Sequence, residues 1–247
     1  MSENMPSLSI FFPVYNDERT VRRVTEKAIG VCKELVDDYE IVIVNDASPD
    51  RSGEIADELA SEYDAVRVVH HPVNKGYGAA VRSGLAACHN TWVCFTDGDD
   101  EYDLYDLHKL WALRDFYDLI ITFRYVRRYS SWRIFVSRVY NRVLRRLFYT
   151  RYRDVSTGLR LVRRDVVRGL ELEATSPFIG AEIAIKTMLR GYRVGEVGIQ
   201  TFPRDFGTGS ATTPTNIVKT ILDMIACHRR VFSEGYDLPP AGERKAL

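Results

Sequence analysis

Asp97-Gly98-Asp99 follows the apolar run WVCFT (92–96). Two carboxylates one residue apart offer hard oxygen ligands. Such ligands suit Mg2+ or Mn2+, ions that bridge to phosphate oxygens more readily than they sit in an all-protein cage. The glycine between them permits close backbone approach. Asp100 and Glu101 extend the acidic run, and like charges at this density favour a cation nearby. An acidic surface turn is the bland reading of the same residues. Asn74-Lys75-Gly76-Tyr77-Gly78 opens a helical pattern. Backbone N–H groups at a helix start can cradle phosphate, with Lys75 supplying countercharge. Its spacing is neither the dinucleotide fingerprint, since the third glycine position is Val81, nor a Walker loop. Asp46 ends the apolar run EIVIV with Asn45. A carboxylate there can accept from a nucleobase N–H or can serve as a plain turn residue.

These residues need a scaffold, and the first half of the chain spells one out. Apolar runs at 8–12, 40–45, 66–70, 91–96 and 119–123 alternate with helical patterns from Asn16 or Asp17 toward Val36, from Ser48 to about Tyr63, over 75–88 and over 103–114. Val/Ile-rich strands separated by single helices indicate a mostly parallel α/β sheet covered on both faces. Ligands of such sheets bind beyond the carboxyl ends of the strands, where all the residues above fall.

The second half reads differently. Residues 131–148 form an amphipathic helical pattern with Trp132, Phe135, Val139, Val143 and Phe148 among its apolar positions and five arginines between them. No Asp or Glu occurs from Leu119 to Arg153. A cationic helix with aromatic residues suits a bilayer interface; a core-packed helix with a solvated basic face is the competing reading. Strand patterns at 158–162 and 193–201, a helix near 180–190, a Gly/Ser/Thr-rich loop at 208–214 and a helix over 216–232 follow, with a loose tail from Ser233. The expected division is a first half (1–115), a second half of the same domain (116–232) and the tail (233–247).

Lysine plus arginine and aspartate plus glutamate both number 34 in 247 residues, so no global field points to nucleic acid. Four cysteines without CxxC spacing read as free thiols. No signal peptide is visible and no apolar run reaches the ~20 residues of a membrane span. A cytoplasmic location, peripheral to the cytosolic face of a membrane, is expected.

The order of the motifs resembles that of the family-two glycosyltransferases of GT-A fold, and within them the polyprenyl-phosphate sugar transferases typified by dolichyl-phosphate mannose synthase. The resemblance rests on FFPVYNDE (11–18), VNDASPD (44–50), NKGYGAAVRSGL (74–85), TDGDD (96–100), TFRY (122–125), SR (137–138), RDVSTGLRLVRRDV (153–166), the Glu182 helix with GYRVGEV (191–197), and PRDFGTGS (203–210). It implies that Pro13, Tyr15, Asp17 and Asp46 hold the nucleoside of a UDP- or GDP-sugar, with Lys75 and Gly76 near the nucleotide. It implies that Asp97, Gly98 and Asp99 hold the metal and diphosphate, and that Arg204 serves the donor from a loop. Arg124 and Arg138 match arginines that contact acceptor or donor phosphate, and Asp154 an acidic residue near the acceptor. Three departures stand out. Asp17 replaces the usual glutamate, Asn45-Asp46-Ala47-Ser48 replaces Asp-Asp-Gly-Ser, and Ala211 replaces a loop lysine.

A polyprenyl phosphate acceptor is already an anion at neutral pH, its second pKa being ~6, so it needs arginines and no base. A saccharide hydroxyl needs a general base. The expected activity is inverting transfer of a hexose-type sugar to polyprenyl phosphate. Transfer to a saccharide hydroxyl, and nucleotide-sugar binding without catalysis, are the alternatives. A homo-oligomer or a membrane-protein partner is compatible with either activity.

Overall fold

The structure is a computed structural model; the residues it describes are 5–126, 131–155, 157–201 and 213–233. Arg204, Ala211, most of the 208–214 loop and the tail beyond Ser233 lie outside them, as does the side chain of Trp132.

Seven strands form one sheet. They are β1 (Leu8–Val14), β2 (Tyr39–Asn45), β3 (Val66–His70), β4 (Trp92–Phe95), β5 (Leu119–Val126), β6 (Arg160–Arg163) and β7 (Val194–Gln200). Their spatial order is β3-β2-β1-β4-β6-β5-β7. β1 is buried along its whole length, as a central strand covered on both faces must be. Pro13 is tolerated there because β1 outruns β4, whose last residue, Phe95, pairs with Phe11; the missing N–H falls past the ladder.

Successive side chains of β1 enter opposite cores. Phe11 joins a cluster containing residues of α3 (Tyr77–Ala87), α6 (Arg164–Arg168), α7 (Ile179–Leu189) and the ends of α5 (Ser131–Phe148) and α8 (Pro214–Ser233). Ile10 and Phe12 join residues of α1 (Val21–Leu35), α2 (Ser52–Glu62) and α4 (Leu107–Trp111). The expected α/β sheet with helices on both faces is therefore observed. All four cysteines are free and buried.

One strand departs from the parallel pattern. β6 runs antiparallel to both β4 and β5. Its amino end consequently lies at the same edge as the carboxyl ends of β4 and β5. Thr157, Gly158 and Leu159, which lead into β6, are brought by this reversal to the edge where the parallel strands end.

Helix starts also differ from expectation. α1 begins at Val21, not beside Asn16 or Asp17. Asn16 takes a positive φ of 61°, and the Asp17 side chain accepts from the N–H of Tyr15 at 3.0 Å. The chain thus turns at the strand edge before the helix starts. α2 begins at Ser52, whose N–H donates to Asp50. The 103–114 pattern becomes a 3-10 turn at Leu104–Asp106 running into the short α4. The five-residue α6 has no counterpart in the sequence reading.

The apolar stripe of α5 divides. Leu144 and Phe148 are fully buried, whereas Phe135 (57% exposed), Val139 and Val143 face outward with Arg138, Arg142, Arg145 and Arg146. On α8 Met224 is buried, while Val218, Ile221, Leu222 and Ile225 are exposed.

Three non-glycine residues in the left-handed region, Asn16, Ala47 and Asp100, follow β1, β2 and β4. Strain of this kind gathers at functional edges. Ala47 (φ 55°) lacks the polar side chain that eases this conformation. Ala47→Gly should therefore stabilise the fold by about 0.5–1 kcal/mol, the relieved strain exceeding the entropy cost of glycine. Urea unfolding would show a higher midpoint at unchanged slope; an unchanged or lower midpoint would contradict it.

Candidate active site

Asp97 is placed by the end of β4, and its two oxygens are addressed from different elements. The phenol of Tyr77, the first residue of α3, donates to Oδ1 at 2.7 Å. Oδ2 lies against Gly158, where an added Cβ would sit 2.4 Å from it and 2.8 Å from the Tyr102 ring. The β4–β6 pairing explains the contact. Phe95 is opposite Arg160, so the residues that continue β4 meet those that precede β6. Gly158 is the residue type that this approach requires.

Asp99 Oδ1 accepts from the Glu101 N–H at 3.1 Å. Gly98 between them is buried beside the Pro13 carbonyl, and its own carbonyl accepts from Thr20 Oγ1 at 2.7 Å. Asp17 comes close to Gly98 from the β1 side, and Tyr15 is exposed at the same strand end. Pro13, Tyr15, Asp17 and Asp97-Gly98-Asp99 are thus one cluster.

Asp100 behaves differently. Its carboxylate pairs with Arg23 Nε (2.7 Å) and Lys27 Nζ (2.9 Å) on α1. The acidic run therefore does not act as one block; α1 neutralises part of it.

Asp46 is also used otherwise than expected. It is only 3% exposed. Oδ1 accepts from the Lys75 N–H at 2.8 Å and Oδ2 from the Gly76 N–H at 2.9 Å. His71 Nδ1 lies 2.6 Å from Oδ1. Its carboxylate shapes the Asn74–Gly78 loop. The same bonds bear on the phosphate-cradle expectation. The N–H groups of Lys75 and Gly76 are taken by Asp46, and that of Gly78 by the Thr175 carbonyl at 3.0 Å. Protein acceptors reach this helix start first, leaving the exposed Lys75 side chain as its cationic contribution.

On the other side of Gly158, Arg124 from β5 directs Nε (2.9 Å) and Nη2 (2.8 Å) onto Asp154 Oδ2. Asp154 is fully buried. Asn141 from α5 reaches its Oδ1 at 3.3 Å and accepts from the Val155 N–H at 3.2 Å. Arg138 is exposed on α5, one turn before Asn141. Tyr102 lies between the two carboxylate centres, close enough to feel both Asp97 and Arg124; burial and the Asp97 charge push its phenol well above its ordinary pKa. Burial, with the Asp97 charge, likewise pushes the Tyr77 phenol well above its ordinary pKa.

Arg160 is buried and donates to the carbonyls of Thr157 (3.0 Å), Val155 (2.5 Å) and Gly180. It ties Val155 and Thr157 to the start of α7. Burial lowers its pKa, and its guanidinium lies 5.3 Å from the Phe95 ring centroid.

Sequence reasoning missed Tyr77, Tyr102, Asn141, Gly158 and Arg160. A lone arginine inside the apolar GLRLV and an asparagine on the buried face of α5 were the available signals.

Among the described residues no group of three or more His, Cys, Asp or Glu side chains is arranged to hold a metal. Asp97 and Asp99 do fit a hard divalent cation that completes its shell with diphosphate oxygens and water. Among the described residues no helix is long and apolar enough to cross a membrane.

Comparison with known proteins extends this picture. The model of the family described as Glycosyl transferase family 2 matches residues 9–170. The chain is similar to the undecaprenyl-phosphate 4-deoxy-4-formamido-L-arabinose transferase of Pseudomonas savastanoi pv. phaseolicola, at 30% identity over 89% of this chain and 65% of that protein. It is similar to the enzyme of the same name from Pectobacterium carotovorum subsp. carotovorum at 26% identity over 92% and 69%. The chain thus spans about two thirds of the length of these relatives. Among solved structures, glucosyl-3-phosphoglycerate synthase from Mycobacterium tuberculosis in complex with Mn2+, UDP and glucosyl-3-phosphoglycerate has a TM-score of 0.69 at 20% identity, covering 90% of this chain and 80% of that one. The same enzyme with Mg2+ and UDP has a TM-score of 0.68. At that identity the likeness establishes the GT-A fold.

Two outcomes follow from the geometry. Gly158→Ala should push Asp97 aside and lower turnover by about 10²-fold, the typical cost of misplacing a reacting centre; wild-type kcat/KM would refute the contact. Asp154→Ala removes the carboxylate that accepts the Arg124 Nε and Nη2 bonds at a site 10% exposed or less and should destabilise the fold by about 3–5 kcal/mol, read as a lower urea midpoint.

Proposed function

Because the chain belongs to glycosyl transferase family 2 and is a glycosyltransferase, we propose that it moves a hexose-type sugar from a nucleoside-diphosphate sugar to a polyprenyl phosphate. Transfer is inverting and divalent-metal-dependent, at the cytosolic face of a membrane. One observation carries the choice of acceptor. Asp154, the carboxylate considered as a base for a sugar hydroxyl, is buried and held by Arg124. A phosphate acceptor needs no base. The names of the relatives, undecaprenyl-phosphate transferases, support the same class of acceptor.

In this reading residues 1–115 hold the donor and 116–232 the acceptor. Tyr15 and Asp17 at the end of β1 face the nucleoside. Asp97 and Asp99 hold Mg2+ or Mn2+ with the diphosphate, and Lys75 supplies countercharge. When bound, the cation offsets charge developing on the leaving diphosphate. The acceptor phosphate oxygen forms its bond to the anomeric carbon as the carbon–oxygen bond to the diphosphate breaks. The leaving nucleoside diphosphate takes the electron pair, and no proton needs to move. Arg124 orients the acceptor segment through Asp154, and Arg138 meets phosphate from α5. The exposed Phe135, Val139 and Val143 beside arginines give α5 the character of a bilayer-interface helix.

The test is a donor panel (UDP- and GDP-sugars) with Mn2+ and a short polyprenyl phosphate, following nucleotide release. Lipid-dependent release with one donor is expected. Release that responds to a saccharide and not to the lipid would overturn the acceptor. Asp99→Ala should reduce release by about 10²–10³-fold, on the scale of losing one electrostatic contact to the developing charge; retained activity would remove Asp99 from the metal site.

A further inference from the structure

Tyr77 occupies an unusual position. Its neighbours on both sides are pinned through their backbones: Gly76 N–H to Asp46 and Gly78 N–H to Thr175. The first residue of α3 therefore has little freedom. Its ring crosses from the helix to the end of β4, where the hydroxyl donates to Asp97 Oδ1 at 2.7 Å. The second oxygen of Asp97 is confined by Gly158. Orientation of this carboxylate is thus set by a hydrogen bond on one oxygen and by a wall on the other.

We propose that Tyr77 is a positioning residue for the cation–diphosphate site, holding Asp97 in the orientation that the cation and the diphosphate require. A carboxylate free to rotate would have to be ordered when the donor arrives. One already held by a phenol does not. Groups that hydrogen-bond a metal-ligating carboxylate commonly contribute about 10–100-fold to metal affinity. The proposal rests on the assignment of Asp97 and Asp99 to the cation and diphosphate.

Free Mn2+ is counted by its electron paramagnetic resonance signal during titration of the protein with UDP or GDP present. The proteins compared are the wild type, Tyr77→Phe, Asp97→Ala and the double variant, with thermal unfolding of each. The phenylalanine keeps the ring and removes only the hydroxyl. Tyr77→Phe should bind Mn2+ about 10–100-fold more weakly while unfolding near the wild-type temperature. In the Asp97→Ala background it should add no further loss, because its effect runs through Asp97. Wild-type affinity in folded Tyr77→Phe, or an equal loss on the Asp97→Ala background, would overturn the proposal. If the wild type itself takes up no Mn2+ with either nucleotide, the metal assignment falls, and the positioning role with it.

Discussion

Asp97 and Gly158 meet where there is room for a carboxylate and for no side chain opposite it. This contact organises the site. It exists because β6 is reversed between β4 and β5, so that its entering segment returns to the edge where the parallel strands end. The surroundings of Asp97 and of Asp154 are brought together by the direction of a four-residue strand. Arg160 then donates from its guanidinium to the carbonyls of Val155 and Thr157, just before Gly158, and of Gly180 on α7. A buried arginine is costly unless its donors are used, and here they go to the backbone before Gly158 and to α7.

Electrostatics at this edge is distributed. Several carboxylates converge, yet each has its own surroundings. Asp100 pairs with Arg23 and Lys27, Asp46 with backbone N–H groups and His71, and Asp154 with Arg124. Tyr77 reaches Asp97 and Glu101 N–H reaches Asp99. The division separates carboxylates that shape the scaffold from the pair at the end of β4. A count of acidic residues does not show it.

Much of this was legible in the sequence. The apolar runs located all seven strands, and the Asp97-Gly98-Asp99 motif pointed to the strand edge where the residues cluster. The direction of β6 was not legible, because a short apolar run carries no polarity. Nor was the role of Asp46, whose partners are backbone N–H groups rather than residue types. The α1 start was misplaced because Asn16 and Asp17 have capping chemistry but use it within a turn. Arg160 broke the local rule for an apolar strand, and such exceptions mark places where packing answers to something other than hydrophobicity. The apolar face of α5 was read as one stripe, but its residues divide between the core and the surface.

The reversed strand also decides how the chain can be divided. In sequence order residue 115 falls before any residue of β5 or β6. In space, β4 is bounded on one side by β1 and on the other only by β6. A truncation near that point would leave the central strand of the full sheet as a bare edge of unpaired N–H and C=O groups, the kind of edge through which chains associate wrongly. The segments before and after that point are therefore not separable pieces of protein. During synthesis the first must wait, with β4 half-paired, until residues 160–163 emerge to close it.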